Sequence, residues 1–157
     1  MTANLIKVSR ETLANVQSDP TLIETLVMDT IQGTADPGDG LDLYKSWNAM
    51  HVLLNDGACG AESDAIMGGT PIGEDLGFGP ARFLNDREVA DISAALSRIS
   101  TSDFESRFDV AKMKDVYAFH QENADDEWPI LSKLFAETKT FYASAAQATN
   151  GVILFLI

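Results

Sequence analysis

Apolar positions near the N-terminus change from a strand-like run to helical spacing. Residues 4–8 form a short apolar segment that predicts a strand. Ser9 is placed to cap a helix that begins at Arg10. Asp19 and Pro20 predict the start of the next helix, because a carboxylate can accept a free amide and proline needs no donor at the first helical position.

The middle of the chain carries a longer helical pattern. Leu43, Trp47, Met50, His51 and Leu54 recur at helical spacing and predict a helix over residues 41–56. Residues 57–82 are rich in glycine and small residues. Within them the apolar run at 65–67 predicts one short strand.

Helix-capping signals dominate the second half. Asn85 and Glu88 have capping-box spacing, and Ser102 with Glu105 repeats it before a shorter helix. Residues 110–120 fit either a helix or a strand. The last predicted helix is also the longest. It begins near the acidic residues 125–127 and ends at a C-cap formed by residues 150–151.

The chain ends on an unbroken apolar run, residues 152–157. Because the run shows no alternation, it predicts a strand that is covered on both faces. With 157 residues, one domain is expected. The pattern therefore predicts a single domain with several helices and a C-terminal strand that lies inside its core.

Residues 68–84 read GGTPIGEDLGFGPARFL and contain five glycines and two prolines. Glycine opens unusual backbone angles and proline stiffens the path, so the segment predicts a rigid, irregular connector. Arg82 is expected to pair with Glu74 or Asp75. The segment lacks the GxGxxG and GxxxxGK[ST] motifs, and its two carboxylates would repel phosphate, so no nucleotide cofactor is expected.

A functional hypothesis joins this connector to the predicted 41–56 helix. Trp47 and His51 lie one helical turn apart and share a face. If the connector packs over that face, then Trp47, His51, Gly77 and Arg82 would bind a ligand. The catalytic candidates would be His51, Glu74 and Asp75, because a neighbouring carboxylate raises the basicity of an imidazole. The competing interpretation is a structural connector and a core histidine.

Metal-site signals are weak. His51 and His120 are far apart, and the aspartates of residues 36–42 lack the distal glutamate of a calcium loop. Cys59 is the only cysteine, which excludes an internal disulfide, and its small and acidic neighbours predict an unreactive bystander thiol. No metal and no cofactor are expected.

The charge is strongly negative and unevenly spread. The net charge is −13, and residues 11–81 contain twelve Asp or Glu but one base, Lys45. Such a field repels nucleic-acid phosphates and attracts basic proteins. No apolar run is long enough to span a membrane, and no signal peptide is recognisable, so a cytoplasmic location is expected.

LDLYKSWNAMHVLLNDG, GGTPIGEDLGFGPARFLNDREV, SRFD and the closing GVILFLI resemble the YfbM-like bacterial family, a domain of unknown function. The resemblance extends over nearly the whole chain. It implies a compact α+β domain with helices around a small sheet, and it implies no established activity.

Two functions are carried forward from the sequence. The first is a non-enzymatic binding protein, such as an inhibitor or immunity-type protein, whose acidic first half docks a basic protein partner. The second is a small enzyme or ligand-binding protein that uses a pocket between the Trp47/His51 helix face and the connector. The oligomeric state does not follow from the sequence.

Overall fold

A computed structural model describes residues 1–36, 38–58 and 60–157. Within them the strands are β1 (Ala3–Val8), β2 (Gly40–Tyr44), β3 (Thr70–Asp75), β4 (Pro80–Leu84) and β5 (Gly151–Leu156). The helices are α1 (Arg10–Ser18), α2 (Leu22–Gln32), α3 (Trp47–Asn55), α4 (Asp64–Met67), α5 (Asp86–Ser97), α6 (Thr101–Ser106) and α7 (Ala124–Gln147). Short 3₁₀ turns precede α4 and α7.

The C-terminal run forms the middle strand of the sheet, whose order is β2–β1–β5–β4–β3 with antiparallel pairing throughout. Leu154 of β5 lies opposite Leu5 of β1, and Ile153 lies opposite Phe83 of β4. β5 is buried from Gly151 to Phe155. A strand with neighbours on both sides and helices on both faces needs apolar residues at every position, which explains the unbroken run.

Successive residues of β5 point into two separate cores. Val152 and Leu154 belong to the larger core, which α3 to α7 cover. Ile153 and Phe155 belong to the smaller core, which α1 and α2 cover. The domain therefore has three layers, with the sheet between a small and a large helical layer, and the predicted α+β class is confirmed.

Several local predictions are confirmed. The Ser9 hydroxyl accepts the Thr12 amide at 3.0 Å, and Asn85 with Glu88 forms a complete capping box on α5.

On α7, the hydroxyl of the fully buried Tyr142 donates to the Ala65 carbonyl at 2.6 Å. Burial raises the pKa of Tyr142, with a smaller effect from Asp64, so the phenol stays a neutral donor.

Helix boundaries differ from the sequence predictions at three places. α2 begins at Leu22 instead of Pro20, and the Asp19 carboxylate accepts the Thr21 amide just before it. α6 uses the capping box of Ser100 and Asp103, two residues earlier than predicted. α7 ends at Gln147, and Thr149, at φ 54°, takes the left-handed conformation that was expected at residues 150–151. At α6 the side chains of Ser100 and Asp103 make the same pair of capping hydrogen bonds that was predicted two residues later.

Three segments adopt another structure than predicted. Residues 40–44 are strand β2, because Leu41 and Leu43 also fit a two-residue period that a helical pattern can mimic. Residues 64–67 are helix α4 instead of a strand, a common ambiguity of short apolar runs. Residues 110–120 contain turns and no regular element.

The glycine- and proline-rich connector is a β-hairpin. β3 and β4 pair antiparallel, with Thr70 opposite Phe83 and a register shift after Ile72. Proline is compatible with this arrangement because Pro71 lies on the edge strand and Pro80 is the first residue of β4. The predicted irregular connector is therefore wrong over residues 70–75 and 80–84, which extend the sheet as paired strands.

Candidate functional site

Trp47, a predicted ligand-binding residue, is part of the larger core. Its side chain is 7% exposed, and its ring lies 6.1 Å from the ring of Tyr117. The indole Nε1 is buried without a hydrogen-bond partner among the described residues. Trp47 thus packs against the segment that follows α6.

His51 lies on α3 and is half-buried. Its Nδ1 is 3.2 Å from the Asn55 amide nitrogen, one helical turn away. Burial lowers the pKa of His51, and the Asp64 carboxylate opposes that effect in part. The imidazole lines a shallow groove of about 450 Å³ with Asn55, Arg107 and Lys112, among others.

The pKa of His51 makes stability depend on pH. Because the folded-state pKa lies below the unfolded value near 6.5, the unfolded chain binds the proton more readily. We therefore expect His51 to favour folding at neutral pH, and this contribution to be lost as the pH falls below about 6.5 through the folded pKa.

Urea unfolding of wild type and His51→Gln between about pH 7.5 and pH 5 checks this expectation. The free energy of unfolding of the wild type should decline relative to the variant as the pH falls, since the carboxylates common to both proteins cancel in the difference. A difference that is constant with pH, or that grows in favour of the wild type in acid, would contradict the prediction.

Glu74 and Asp75 lie on the hairpin, away from His51. The Asp75 carboxylate accepts the amides of Gly77 and Gly79, at 2.6 Å and 3.0 Å, and so closes the hairpin turn. Glu74 is exposed and lines a cavity of about 70 Å³ between the hairpin and α2. Asp75 and Gly77 are therefore engaged in turn formation.

Arg82 does not form the predicted pair with Glu74 or Asp75. Its guanidinium donates to the carbonyls of Gly68 and Gly69, at 2.9 Å and 2.7 Å. These bonds fix the point at which the chain enters the hairpin. Arg82 lines a small cavity of about 100 Å³ with the exposed Phe78 and residues of β1 and β5.

The structure does not assemble the pocket predicted from the sequence. His51 belongs to the α3 groove, Glu74 to the cavity at α2, and Arg82 to the cavity beside β5. Gly73 and Ile72 of the hairpin pack with Ile23 in the smaller core, whereas Trp47 packs in the larger one. The hairpin therefore contributes to both cores, since Leu84 of β4 belongs to the larger one, but Glu74 and Arg82 line other cavities than His51 does.

A further cavity follows the opposite edge of the sheet. This edge groove has a volume of about 510 Å³ and lies between β2 and α7. Its lining residues are Lys7, Gly38, Gly40, Leu41, Asp42, Tyr44, Ala136, Glu137, Thr140, Phe141 and Ser144. Leu41 and Asp42 both line the edge groove, although consecutive strand residues point to opposite faces of the sheet. The groove therefore extends along the outer edge of β2.

Lys7 is the positive charge of the edge groove, and neighbouring groups hold it. Its side chain is 13% exposed, and Nζ lies 3.3 Å from the Ser144 hydroxyl and 3.8 Å from an Asp39 carboxylate oxygen. The ammonium also lies 5.8 Å from the centre of the Phe141 ring. The charge of Lys7 is therefore largely balanced within the protein.

Acidic residues surround this edge on both sides of β2. Asp29, Asp36 and Asp39 line a cavity of about 340 Å³ on the α2 side. Asp42 and Glu137 line the edge groove between β2 and α7. We call these five residues the acidic band. Two of these five carboxylates have a basic partner, Asp39 with Lys7 at 3.8 Å and Glu137 with Lys133 at 3.5 Å, so the band keeps a net negative charge.

Sequence reasoning located the acidic first half but missed the edge groove. Two sequence features bear on the groove. Lys7 is a charged residue between the apolar residues of β1, and Leu41 and Leu43 alternate with polar residues along β2. Neither predicts a groove by itself, because its second wall comes from α7, about a hundred residues later in the chain. The prediction for Cys59 lies outside the described residues.

Side-chain clusters and helix lengths bear on metal binding and membrane insertion. In residues 1–36, 38–58 and 60–157, histidine, cysteine and carboxylate side chains form no group of three or more that could hold a metal ion. The helices of this same part of the chain include none with the length and apolarity of a membrane span.

Comparisons with known proteins agree with the fold. A family model described as a domain of unknown function, DUF1877, matches residues 1–155. The crystal structure of YfbM from Escherichia coli, a protein of unknown function, superposes with a TM-score of 0.74 at 15% sequence identity and covers 100% of both chains. No curated protein matches the chain. At this identity the structural similarity shows a common fold.

Proposed function

Since the chain belongs to the DUF1877 family, whose description assigns no activity, we propose from its own surface that it is a non-enzymatic binding protein that docks a basic protein partner. The acidic band at the β2 edge is the observation that carries this proposal. An inhibitor or immunity-type role, in which the acidic band covers a basic site on the partner, is the form of binding we favour.

The charge distribution supports a basic partner. Residues 11–44 contain seven Asp or Glu and neither Lys nor Arg. The two bases that precede this stretch are already paired, Lys7 with Asp39 and Arg10 with Asp86. The Arg10 hydrogen bond lowers the pKa of the Asp86 carboxyl, as expected for an ionised pair. A surface of one sign accelerates encounter with a partner of the opposite sign.

Exposed apolar side chains next to these acids add contact area. Met28 is 48% exposed and Ile31 is 51% exposed, and both share a helical stripe of α2 with the exposed Glu24. Protein interfaces commonly surround apolar contacts with a charged rim. The outer surface of α2 therefore supplies the apolar contacts that an acidic surface alone lacks.

The scattered positions of His51, Glu74 and Asp75 favour binding over catalysis. A general base needs hydrogen-bonding reach of the proton it takes, and an orienting group beside it. His51 instead contacts Asn55, and the Asp75 carboxylate is occupied by two backbone amides. We therefore propose the binding role ahead of the small-enzyme or ligand-binding alternative.

The proposal is tested by capture from a bacterial lysate with identification of the bound proteins. Immobilised wild type is compared with Asp36→Asn/Asp39→Asn/Asp42→Asn, which removes three charges of the acidic band. Asparagine keeps the oxygen that accepts the Gly38 and Tyr44 amides. The control is Asp91→Asn/Glu105→Gln/Asp115→Asn, which removes three exposed acids elsewhere.

We expect wild type and the control to retain a basic protein at about 50 mM salt and to release it near 500 mM, because salt screens exposed charges. The acidic-band variant should retain it about tenfold less well. Retained proteins without a basic bias, or equal retention by both triple variants, would overturn the proposal.

A further inference from the structure

β2 is an open edge of the sheet. In the described part of the chain its one strand neighbour is β1. The backbone N–H and C=O groups of alternate residues therefore point away from β1 and have no strand partner. The strand at the other edge, β3, has features that hinder pairing with a further strand. Pro71 removes a donor there, Gly73 takes a positive φ of 79°, and the pairing with β4 is irregular after Ile72.

The edge groove lies directly along this open strand. One wall is β2 from Gly40 to Tyr44, and the other is a stripe of α7 formed by Ala136, Thr140 and Ser144. A cleft between an edge strand and a helix is the geometry in which a peptide adds as a further strand. Main-chain hydrogen bonds then provide affinity, and side chains entering the cleft provide selectivity.

The residues that line the groove favour a cationic side chain. Asp42 and Glu137 contribute negative charge, and Lys7 is balanced by Asp39 and Ser144. Tyr44 lines the mouth with 62% of its surface exposed, which leaves an aromatic face available to a guanidinium or ammonium group. The negative charge of Asp42 and Glu137 disfavours an anionic segment.

Tyr44 has an unusual backbone conformation that defines the end of the groove. Its φ is 50°, in the left-handed region that a bulky residue rarely adopts. The Asp42 carboxylate accepts the Tyr44 amide at 2.7 Å, which helps to hold that conformation. The chain thereby turns away from the sheet at Tyr44 while its ring stays at the groove.

We propose that the edge groove binds an extended, arginine- or lysine-containing segment of the partner protein, which pairs with the outer edge of β2 and places a cationic side chain between β2 and α7. This inference rests on the proposed function and adds the mode of recognition. It distinguishes a specific docking cleft from a diffuse attraction to an acidic surface.

Synthetic peptides test the mode of binding without the natural partner. The probe is a fluorescein-labelled hexapeptide of alternating arginine and valine. A hexapeptide of alternating arginine and proline carries the same charge, but it has no backbone N–H donor at the positions that proline occupies. A hexapeptide of alternating glutamate and valine has the opposite charge. Fluorescence anisotropy measures affinity, and amide chemical shifts of ¹⁵N-labelled protein locate the bound peptide.

We expect the arginine–valine peptide to bind at least about tenfold more tightly than the arginine–proline peptide, because main-chain pairing contributes to strand addition. The glutamate–valine peptide should not bind measurably. The largest shifts should fall in residues 40–44 and 136–144. Asp42→Asn/Glu137→Gln should weaken binding about tenfold, whereas Asp91→Asn/Glu105→Gln, with the same change in net charge, should not.

The outcomes separate this inference from the proposed function. Equal affinity for the two arginine peptides, shifts outside the edge groove, or equal effects of the two double variants would overturn strand addition while leaving electrostatic docking intact. If the arginine–valine peptide does not bind, strand addition is overturned too. The capture experiment then decides whether a basic partner exists at all.

Discussion

Replacing Phe135 by alanine is expected to lower the free energy of unfolding by about 3–5 kcal/mol. The side chain is 1% exposed in the larger core, and its ring stacks on Phe104 at a centroid distance of 4.1 Å. Truncation removes the buried apolar surface and the ring contact, and it leaves a cavity that the surrounding helices fill only in part.

Urea unfolding followed by tryptophan fluorescence measures this loss. The matched control is Phe78→Ala at the hairpin tip, where the same truncation removes a ring that is 54% exposed. That control should change stability by no more than about 0.5 kcal/mol. If Phe135→Ala does not fold, Phe135→Leu should still lose about 1–2 kcal/mol. Similar losses for Phe135→Ala and Phe78→Ala would show that the larger core does not depend on this stack.

Gly69→Ala is the second large effect, and we expect it to cost roughly 2–5 kcal/mol. Gly69 has φ 82°, and a Cβ there would lie 2.4 Å from the Phe83 carbonyl oxygen. Phe83 cannot retreat easily because β4 is paired with β5 at Ile153. The cost therefore combines an unfavourable left-handed conformation with a backbone clash.

Gly77→Ala separates these two contributions. Gly77 also has a positive φ, 106°, but a Cβ there would meet no atom within 4 Å. This variant should lose about 1–2 kcal/mol, from conformation alone. Both variants are compared with wild type by urea unfolding under the same conditions. A difference of less than about 1 kcal/mol between them would contradict the predicted clash at Gly69.

The glycines of the hairpin illustrate how far sequence reasoning extends. Their number and the two prolines indicated an ordered segment. The sequence could not indicate that Gly69 approaches the backbone of Phe83, because that contact exists only after the hairpin forms. Gly151 is a parallel case. It was expected to end a helix, yet in β5 its missing side chain leaves room for Leu13 and the Leu84 carbonyl, which would lie 2.7 Å and 2.9 Å from a Cβ at this position.

For the candidate site too, the sequence predicted local spacing but not the contacts between distant segments. Trp47 and His51 do lie one helical turn apart on α3, as their spacing predicted. Their surroundings were not predictable from spacing. Tyr117 packs on Trp47, and Asn55 contacts His51, whereas Glu74 and Arg82 of the hairpin line other cavities. A helical period gives the face of a residue but not the element that covers it.

The amino-acid sequence by itself determined the features that depend on neighbours in the chain. These are the capping box at Asn85, the long helix α7, the doubly covered strand β5 and the excess of carboxylates in the first half. Their causes are hydrogen bonds and side-chain periods that span a few residues. Tertiary structure alone decided the hairpin, the surroundings of His51 and the groove between β2 and α7. Each of these depends on segments that are distant in sequence, and packing brings them together only once both sides of the sheet are covered.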